Sequence, residues 1–288
     1  MRRILLKVSA GFAAACIFMS GGGSRGDMEN TAVPSDVIRK TMTERLETAE
    51  VSFSDRKLDE AEVTGIVEEM IQGAFYESAD PKGGDYLRFQ CGGYDLTYTV
   101  DKGFTDYTYN ITIEPEYYTT KEEEDKVDAR AAEVIAGFEL DKDASEYEKI
   151  SCVYDFICGN TSYDTVHKHT PGSRHYQSTA YGALIYKTAL CQGYSVLAYR
   201  LLKELGVDVR IVTGTAEIEG VKERHSWNIV GIEGKYYNLD VTMGDANDSD
   251  DYFLKSDEDI ASDHTKDEKY DTDEFRGEYP MSEESYTE

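Results

Sequence analysis

The chain alternates between two rhythms of apolar residues. In "LDEAEVTGIVEEMIQGAF", Val63, Ile66, Val67, Met70 and Ile71 fall three or four positions apart and share one side, which predicts a helix; "PSDVIRKTMTERLETAE" before it has a weaker version of the same pattern. The period then shortens to two. "YLRFQCGGYDLTYTV" reads as two alternating runs joined at Gly92 and Gly93, a hairpin, and "DYTYNITIEPEYY" as a further tyrosine-rich strand. Cys91 shares the apolar parity of Leu87 and Phe89, as a strand core residue would. "TTKEEEDKVDARAAEVIAGF" opens with hydroxyl and acidic residues, as a helix N-terminus prefers, and ends at Gly137. Residues 27–140 are thus expected to form a small α+β module that carries no chemical motif.

The helical period returns in "YEKISCVYDFICGN", with Tyr147, Ile150, Tyr154 and Ile157 in step. It returns again from Cys191, where Tyr194, Leu197, Ala198, Leu201, Leu202 and Leu205 form a core face that Gly206 terminates. Three strand patterns follow, "VDVRIVTGTAEI", "HSWNIVGI" and "KYYNLDVT", the last two joined at Glu233 and Gly234. With that two-residue loop, paired residue numbers sum to 467. His225 and Asp240 then become diagonal neighbours on one sheet face, within side-chain reach. Trp227 is assigned to the strand face opposite His225, as a core residue or a cleft wall.

Charge and composition narrow the partners. Of 288 residues 57 are acidic and 30 basic, a net charge of −27, so a phosphate backbone would be repelled and nucleic acid is not an expected partner. From Asp245 to Glu288 there are 17 acidic and 4 basic residues. On that count 265–288 is expected to be a solvated acidic tail. At the other end, Arg2, Arg3 and Lys7 precede an uncharged, glycine-broken run from Val8 to Ser24. This is the pattern of a secretory leader over 1–26, since a spanning helix needs about 20 strongly apolar residues. Cys16 follows three alanines as in a lipobox, although the usual leucine is missing, so free secretion and lipid anchoring both stay open. Membrane association is expected only through such a leader or lipid.

Of the remaining cysteines, Cys152 and Cys158 lie six residues apart on one helix, a rise of about 9 Å that no disulfide spans. They are expected to be reduced packing residues, as is Cys91. Metal is not expected either. His167, His169 and His175 match no common zinc spacing, and in "GDANDSDD" an EF-hand would need glycine where Asp250 stands and glutamate at Ser256.

Cys191 differs from the other cysteines in its position. At the start of a helix, unpaired N–H groups and the positive end of the dipole favour thiolate, and a nearby imidazolium would lower its pKa further from about 8.5. A histidine held by a carboxylate is the base that a thiol nucleophile needs, and His225 with Asp240 supplies that pair.

"LCQGYSVLAYRLLKELGVDVRIVTG", "HSWNIV" and "GKYYNLDVTMGD" together resemble the transglutaminase-like superfamily, a relative of papain-like cysteine proteases in which a helix-borne Cys is followed by a strand His and a strand Asp. Cys191, His225 and Asp240 fall on those positions at spacings of 34 and 15 residues, and "STAYGALIYKTALCQGYS" and "YFLKSDEDIASDHT" resemble the flanking segments. The resemblance implies an α+β, transglutaminase-like or papain-like core over 141–264, with the nucleophile at a helix N-terminus packed on an antiparallel sheet. It also implies acyl transfer on a protein or peptide substrate, by way of a thioester and without a cofactor. Cys191 would be the nucleophile, His225 the base and Asp240 its orienter; Tyr181 and Gln177 are candidates for a side-chain oxyanion donor. Hydrolysis of the protease or amidase kind, protein crosslinking, and a noncatalytic surface-binding module on the same fold remain open readings.

Overall fold

The computed structural model describes residues 6–9, 28–166, 175–218, 220–247 and 249–287. The expected leader, Cys16 included, lies outside the described residues apart from Leu6–Ser9, as do His167 and His169. The chain divides into two compact units, Met1–Ser78 with Lys82–Lys121, and Ala79–Pro81 with Glu122–Glu288. Among the described residues no helix is long and apolar enough to cross a membrane.

In the first unit, helices α1 (Met28–Thr43) and α2 (Glu60–Ala74) accompany a sheet of β1 (Leu6–Ser9), β2 (Ala49–Asp55), β3 (Cys91–Lys102) and β4 (Tyr107–Tyr117), in the order β1-β3-β4-β2. Asp59 and Glu62 cap α2 reciprocally: the Asp59 carboxylate accepts from the Glu62 amide at 3.0 Å and Glu62 accepts from the Asp59 amide at 2.9 Å. The helical apolar stripe then packs Val63, Val67, Met70 and Ile71 with Leu96, Ile111 and Ile113 of the sheet. On β2 the period of two puts Ala49, Val51 and Phe53 inside and Glu50, Ser52 and Ser54 outside.

The hairpin expected at Gly92 and Gly93 is not formed. Gly84–Phe89 is a short helix, α3, and Cys91–Lys102 is one strand with a bulge between Cys91 and Gly93. Gly93, at φ +147°, serves that bulge, a role that a glycine pair fits as well as it fits a turn. The chain reverses later, where the Gly103 amide donates to the Asp106 carbonyl at 2.9 Å.

The second unit begins earlier than the division expected at residue 140. Helix α4 (Lys121–Gly137) belongs to it, and Asp128 of α4 accepts a hydrogen bond from Arg200 at 2.9 Å. Helix α5 (Glu146–Asn160) starts at a Ser145/Glu148 capping box. Two short parallel strands, β5 (Ser162–Tyr163) and β6 (Thr188–Ala189), then lead into α6 (Cys191–Glu204). Gly206, at φ +74°, closes α6 as its sequence position requires.

The main sheet is antiparallel, in the order β10-β7-β8-β9, built from β7 (Val209–Ile218), β8 (Val221–Ile232), β9 (Lys235–Leu239) and β10 (His264–Lys266); helices α7 (Val241–Asn247) and α8 (Asp257–Ile260) lie between β9 and β10. Ser195 of α6 donates to the Ser226 carbonyl at 2.9 Å and accepts from Asn228 at 3.1 Å, so α6 covers that parity of β8. The opposite parity, Trp227 and Ile229, packs with Val212, Tyr236 and Tyr279. The segment 265–288 is therefore no solvated tail: Tyr270, just before α9 (Asp273–Glu278), and Phe275 within it join this cluster, and the Tyr236 amide donates to the Pro280 carbonyl at 2.9 Å. The aromatic residues set between its charges do the packing. The whole is an α+β fold with a thiol-bearing helix on an antiparallel sheet.

Candidate active site

Cys191 is the first residue of α6, after Leu190 in extended backbone at φ −92° and ψ 174°. The amides of that first turn point out of the helix and make its start a site for negative charge. The site is dry: Cys191 is 7% exposed and His225 1%. The Cys191 thiol lies close enough to the His225 ring and to Ser226 for both to act on its charge. His225 Nε2 is taken by Asp240 Oδ2 at 2.6 Å, which leaves Nδ1 as the ring atom available to the thiol.

The register summing to 467 holds from Ile232↔Lys235 to Asn228↔Leu239, and there the ladder stops. Asp240 is not a strand residue; it caps α7. Its Oδ1 accepts the Thr242 and Met243 amides at 3.0 and 3.1 Å, which leaves Oδ2 to the histidine. The carboxylate is thus fixed by backbone on one oxygen and turned toward His225 by the other.

A second histidine, not anticipated from the sequence, completes the cluster. His264 of β10 places Nε2 3.0 Å from the same Asp240 Oδ2 and Nδ1 2.6 Å from Asp263 Oδ1. The ladder explains how it gets there. Gly214 of β7 faces Lys266 on one side and His225 on the other, and Ala216 faces His264 and Glu223, so β7 carries small residues between the two histidine-bearing strands. The rings meet above it at 5.6 Å. Gly214 is also obligatory, since a Cβ there would fall 2.0 Å from the Thr265 carbonyl oxygen.

Burial and charge oppose one another at each group. Burial alone would raise the Cys191 pKa, but the hydrogen bond and charge of His225 and the Ser226 bonds outweigh it, and the thiol is pulled below its ordinary value. Burial disfavours the His225 imidazolium, yet Asp240 and then Cys191 overcome it and push that ring up to about 10. Asp240 is likewise held well below the carboxylate range, against burial, by His225 and then His264. Together these shifts favour a thiolate–imidazolium pair at neutral pH.

The other candidates occupy different places. Gln177 lies beside the start of α6: its carbonyl accepts the Leu190 amide at 2.8 Å, and its buried side-chain Nε2 has no partner. Tyr181 is buried at the start of a single π-turn, its ring packed edge-on against Tyr186 at 5.0 Å. Trp227 lies on the same face as His225, not the opposite one, because residues two apart on a strand share a face; the rings stack at 6.0 Å and 21°. Its indole donates to Asn238 at 3.0 Å, so it serves as the floor of the cluster. His225, Asp240 and His264 bring one donor atom each within 4.8 Å of one another. Both Nε2 atoms, however, are engaged with Asp240 Oδ2, so the arrangement is a hydrogen-bonded relay that a cation would have to break.

Residues 132–241 match the family model of the transglutaminase-like superfamily. No curated protein matches the chain. Among solved structures, a TGase crystal structure is 20% identical, with a TM-score of 0.38 over 68% of this chain and 51% of its own. A candidate cysteine protease from Cytophaga hutchinsonii is 12% identical, with a TM-score of 0.32 over 68% of this chain and 65% of its own. A candidate protease from Parabacteroides distasonis is 14% identical, with a TM-score of 0.28 over 52% of this chain and 37% of its own. This chain thus spans about half the length of the first of them and under two thirds of each. The match takes in Cys191, His225 and Asp240, so all three lie in the part of the chain that resembles the transglutaminase-like superfamily.

Proposed function

We propose that the chain is an exported cysteine-dependent acyl-transfer enzyme of the protease or amidase kind, acting on protein or peptide substrates. The observation that carries this reading is the burial together of Cys191, at a helix start and pulled below its ordinary pKa by His225, and of His225 hydrogen bonded to Asp240 at 2.6 Å. The Cys191 thiolate attacks a carboxamide or peptide carbonyl carbon, and the carbonyl electron pair moves to oxygen. Amides of the first turn of α6, with Nε2 of Gln177, receive that oxyanion. As the intermediate collapses, the imidazolium of His225 gives its Nδ1 proton to the departing amine, leaving a thioester on Cys191. Water, losing a proton to His225, then attacks the thioester and releases the acid. Asp240 holds the ring in place and stabilises its charged form throughout.

The test is alkylation of the intact protein by an iodoacetamide probe across pH. Wild-type Cys191 should react well below pH 7, and in His225→Ala the midpoint should rise toward the free-thiol value of about 8.5. A wild-type Cys191 that titrates as an ordinary thiol defeats the enzyme reading in favour of a binding module. Ammonia or peptide release, compared with incorporation of a labelled amine, separates hydrolysis from crosslinking.

A further inference from the structure

The Cys191–His225–Asp240 series does not end at Asp240. Oδ2 of that carboxylate, which takes the His225 Nε2 proton at 2.6 Å, also takes His264 Nε2 at 3.0 Å, and His264 Nδ1 meets Asp263 Oδ1 at 2.6 Å. Both ring nitrogens of His264 therefore face carboxylate oxygens, and an imidazole that donates from both nitrogens is an imidazolium. Asp263 is itself held, its Oδ2 accepting the Tyr252 hydroxyl at 2.7 Å. The His264 side chain is 1% exposed, so water does not serve either nitrogen in place of these partners. Just after β10, Asp267 fixes the strand: it receives both Arg224 terminal nitrogens at 2.7 and 2.8 Å and the Thr213 hydroxyl at 2.6 Å.

We propose that His264, as an imidazolium shared between Asp240 and Asp263, is a positioning residue of the thiol site: it fixes the Asp240 carboxylate for His225 and takes part of its negative charge. This rests on the preceding reading of Cys191 and His225. A carboxylate serving one imidazolium would hold the proton of His225 as tightly as it could. Serving two, it holds each less tightly, so His264 limits how firmly His225 keeps the proton that it must pass to a leaving group. The other groups around the pair leave this balance in place. Glu223 and His225 face it from β8, Cys191 from α6 and Tyr252 from the turn before α8; Lys266 turns to Asp257 at 2.6 Å. Tyr154 and Cys158 of α5 and Tyr163 of β5 are all pushed up by burial and stay neutral through the working range.

The experiment is histidine-selective nitrogen NMR on the full chain, combined with the alkylation profile of Cys191. In the wild type at pH 7, both ring nitrogens of His264 should carry protons. In His264→Gln, which keeps an N–H donor for Asp240 but removes the cation, His225 should release its proton about one pH unit or more higher, the scale of one charge at this range in a partly relaxed interior. Asp263→Asn should move His225 in the same direction while leaving His264 in place. It decides the matter if His264→Gln does not fold, since a residue that only packed would leave the His225 midpoint where it was. A singly protonated His264 at pH 7, or a His225 midpoint that stays or falls in a folded variant, overturns the proposal. The two readings fail separately. An ordinary Cys191 titration with an upward His225 shift would reject the enzyme reading and keep the positioning role; an acid-shifted Cys191 with no His225 shift would do the reverse.

Discussion

The carbonyl oxygen of Gln177 lies 2.5 Å from where a Cβ on Gly193 would stand, and the Ala189 Cβ lies 2.8 Å from it. The first turn of α6 is thus wedged against the loop that precedes it, and only hydrogen fits between. Gly193→Ala should cost about 1–3 kcal/mol of stability, because the obstructing atom is backbone and cannot swing away. Denaturant unfolding measures this, and an unchanged midpoint would mean that the loop gives way freely.

Gln177→Ala should slow acyl transfer by about 10²–10³, the loss typical of one oxyanion donor, while leaving the Cys191 alkylation profile unchanged. The side-chain Nε2 has no partner to leave exposed, so folding should hold. A rate equal to wild type would return Gln177 to a purely backbone role beside Leu190.

Asp240→Asn removes the charge that favours the His225 imidazolium. Acyl transfer should fall by about 10³–10⁴, and the Cys191 midpoint should move up toward about 8.5. Asp240 also bears on acid stability. Its folded pKa is depressed, so its contribution is complete above its unfolded value of about 3.9 and is lost as pH falls below that. The stability gap between wild type and Asp240→Asn should therefore be flat near neutrality and narrow in acid.

His225 carries the opposite sign. Its folded value is raised from 6.5 to about 10, so the stability that it adds is complete below 6.5 and is withdrawn as pH rises through about 10. Unfolding of wild type against His225→Gln at pH 6 and pH 10.5 should show the larger gap at pH 6. Equal gaps would mean that the ring is neutral throughout.

Cys191 should be the thiol labelled first among those described. Burial pushes Cys91 and Cys152 up and pushes Cys158 up to about 12, whereas Cys191 is pulled down. Brief alkylation at pH 6 followed by peptide mapping should find one modified site; labelling at Cys152 of comparable extent would contradict this.

Much of the second unit was legible because its signals are local. The Glu233–Gly234 loop fixes the β8–β9 register, and Gly206 ends α6 where the apolar stripe stops. What failed depended on contacts distant in sequence. Asp240 leaves its strand because it caps α7, and a carboxylate serving a strand and one serving a helix cap look alike in sequence. His264 had no motif of its own. The small residues Gly214 and Ala216, lying opposite it in the ladder, were the available signal, and reading them required the β10–β7 pairing. The glycines at 92 and 93 and the acids after 265 are ambiguous in sequence for one reason: their roles are set by partners, the β4 strand beside the bulge and the aromatic cluster on β8.

Twelve successive residues of α6, Cys191 through Leu202, are buried, so no side of this helix offers water a way in. Its amides should then exchange with deuterium only when the whole second unit opens, more slowly than those of half-exposed α4 or α5. On the proposed reading, a nucleophile carried on such an element keeps its aim while substrate enters and leaves, and any adjustment of the site falls to the segments around it.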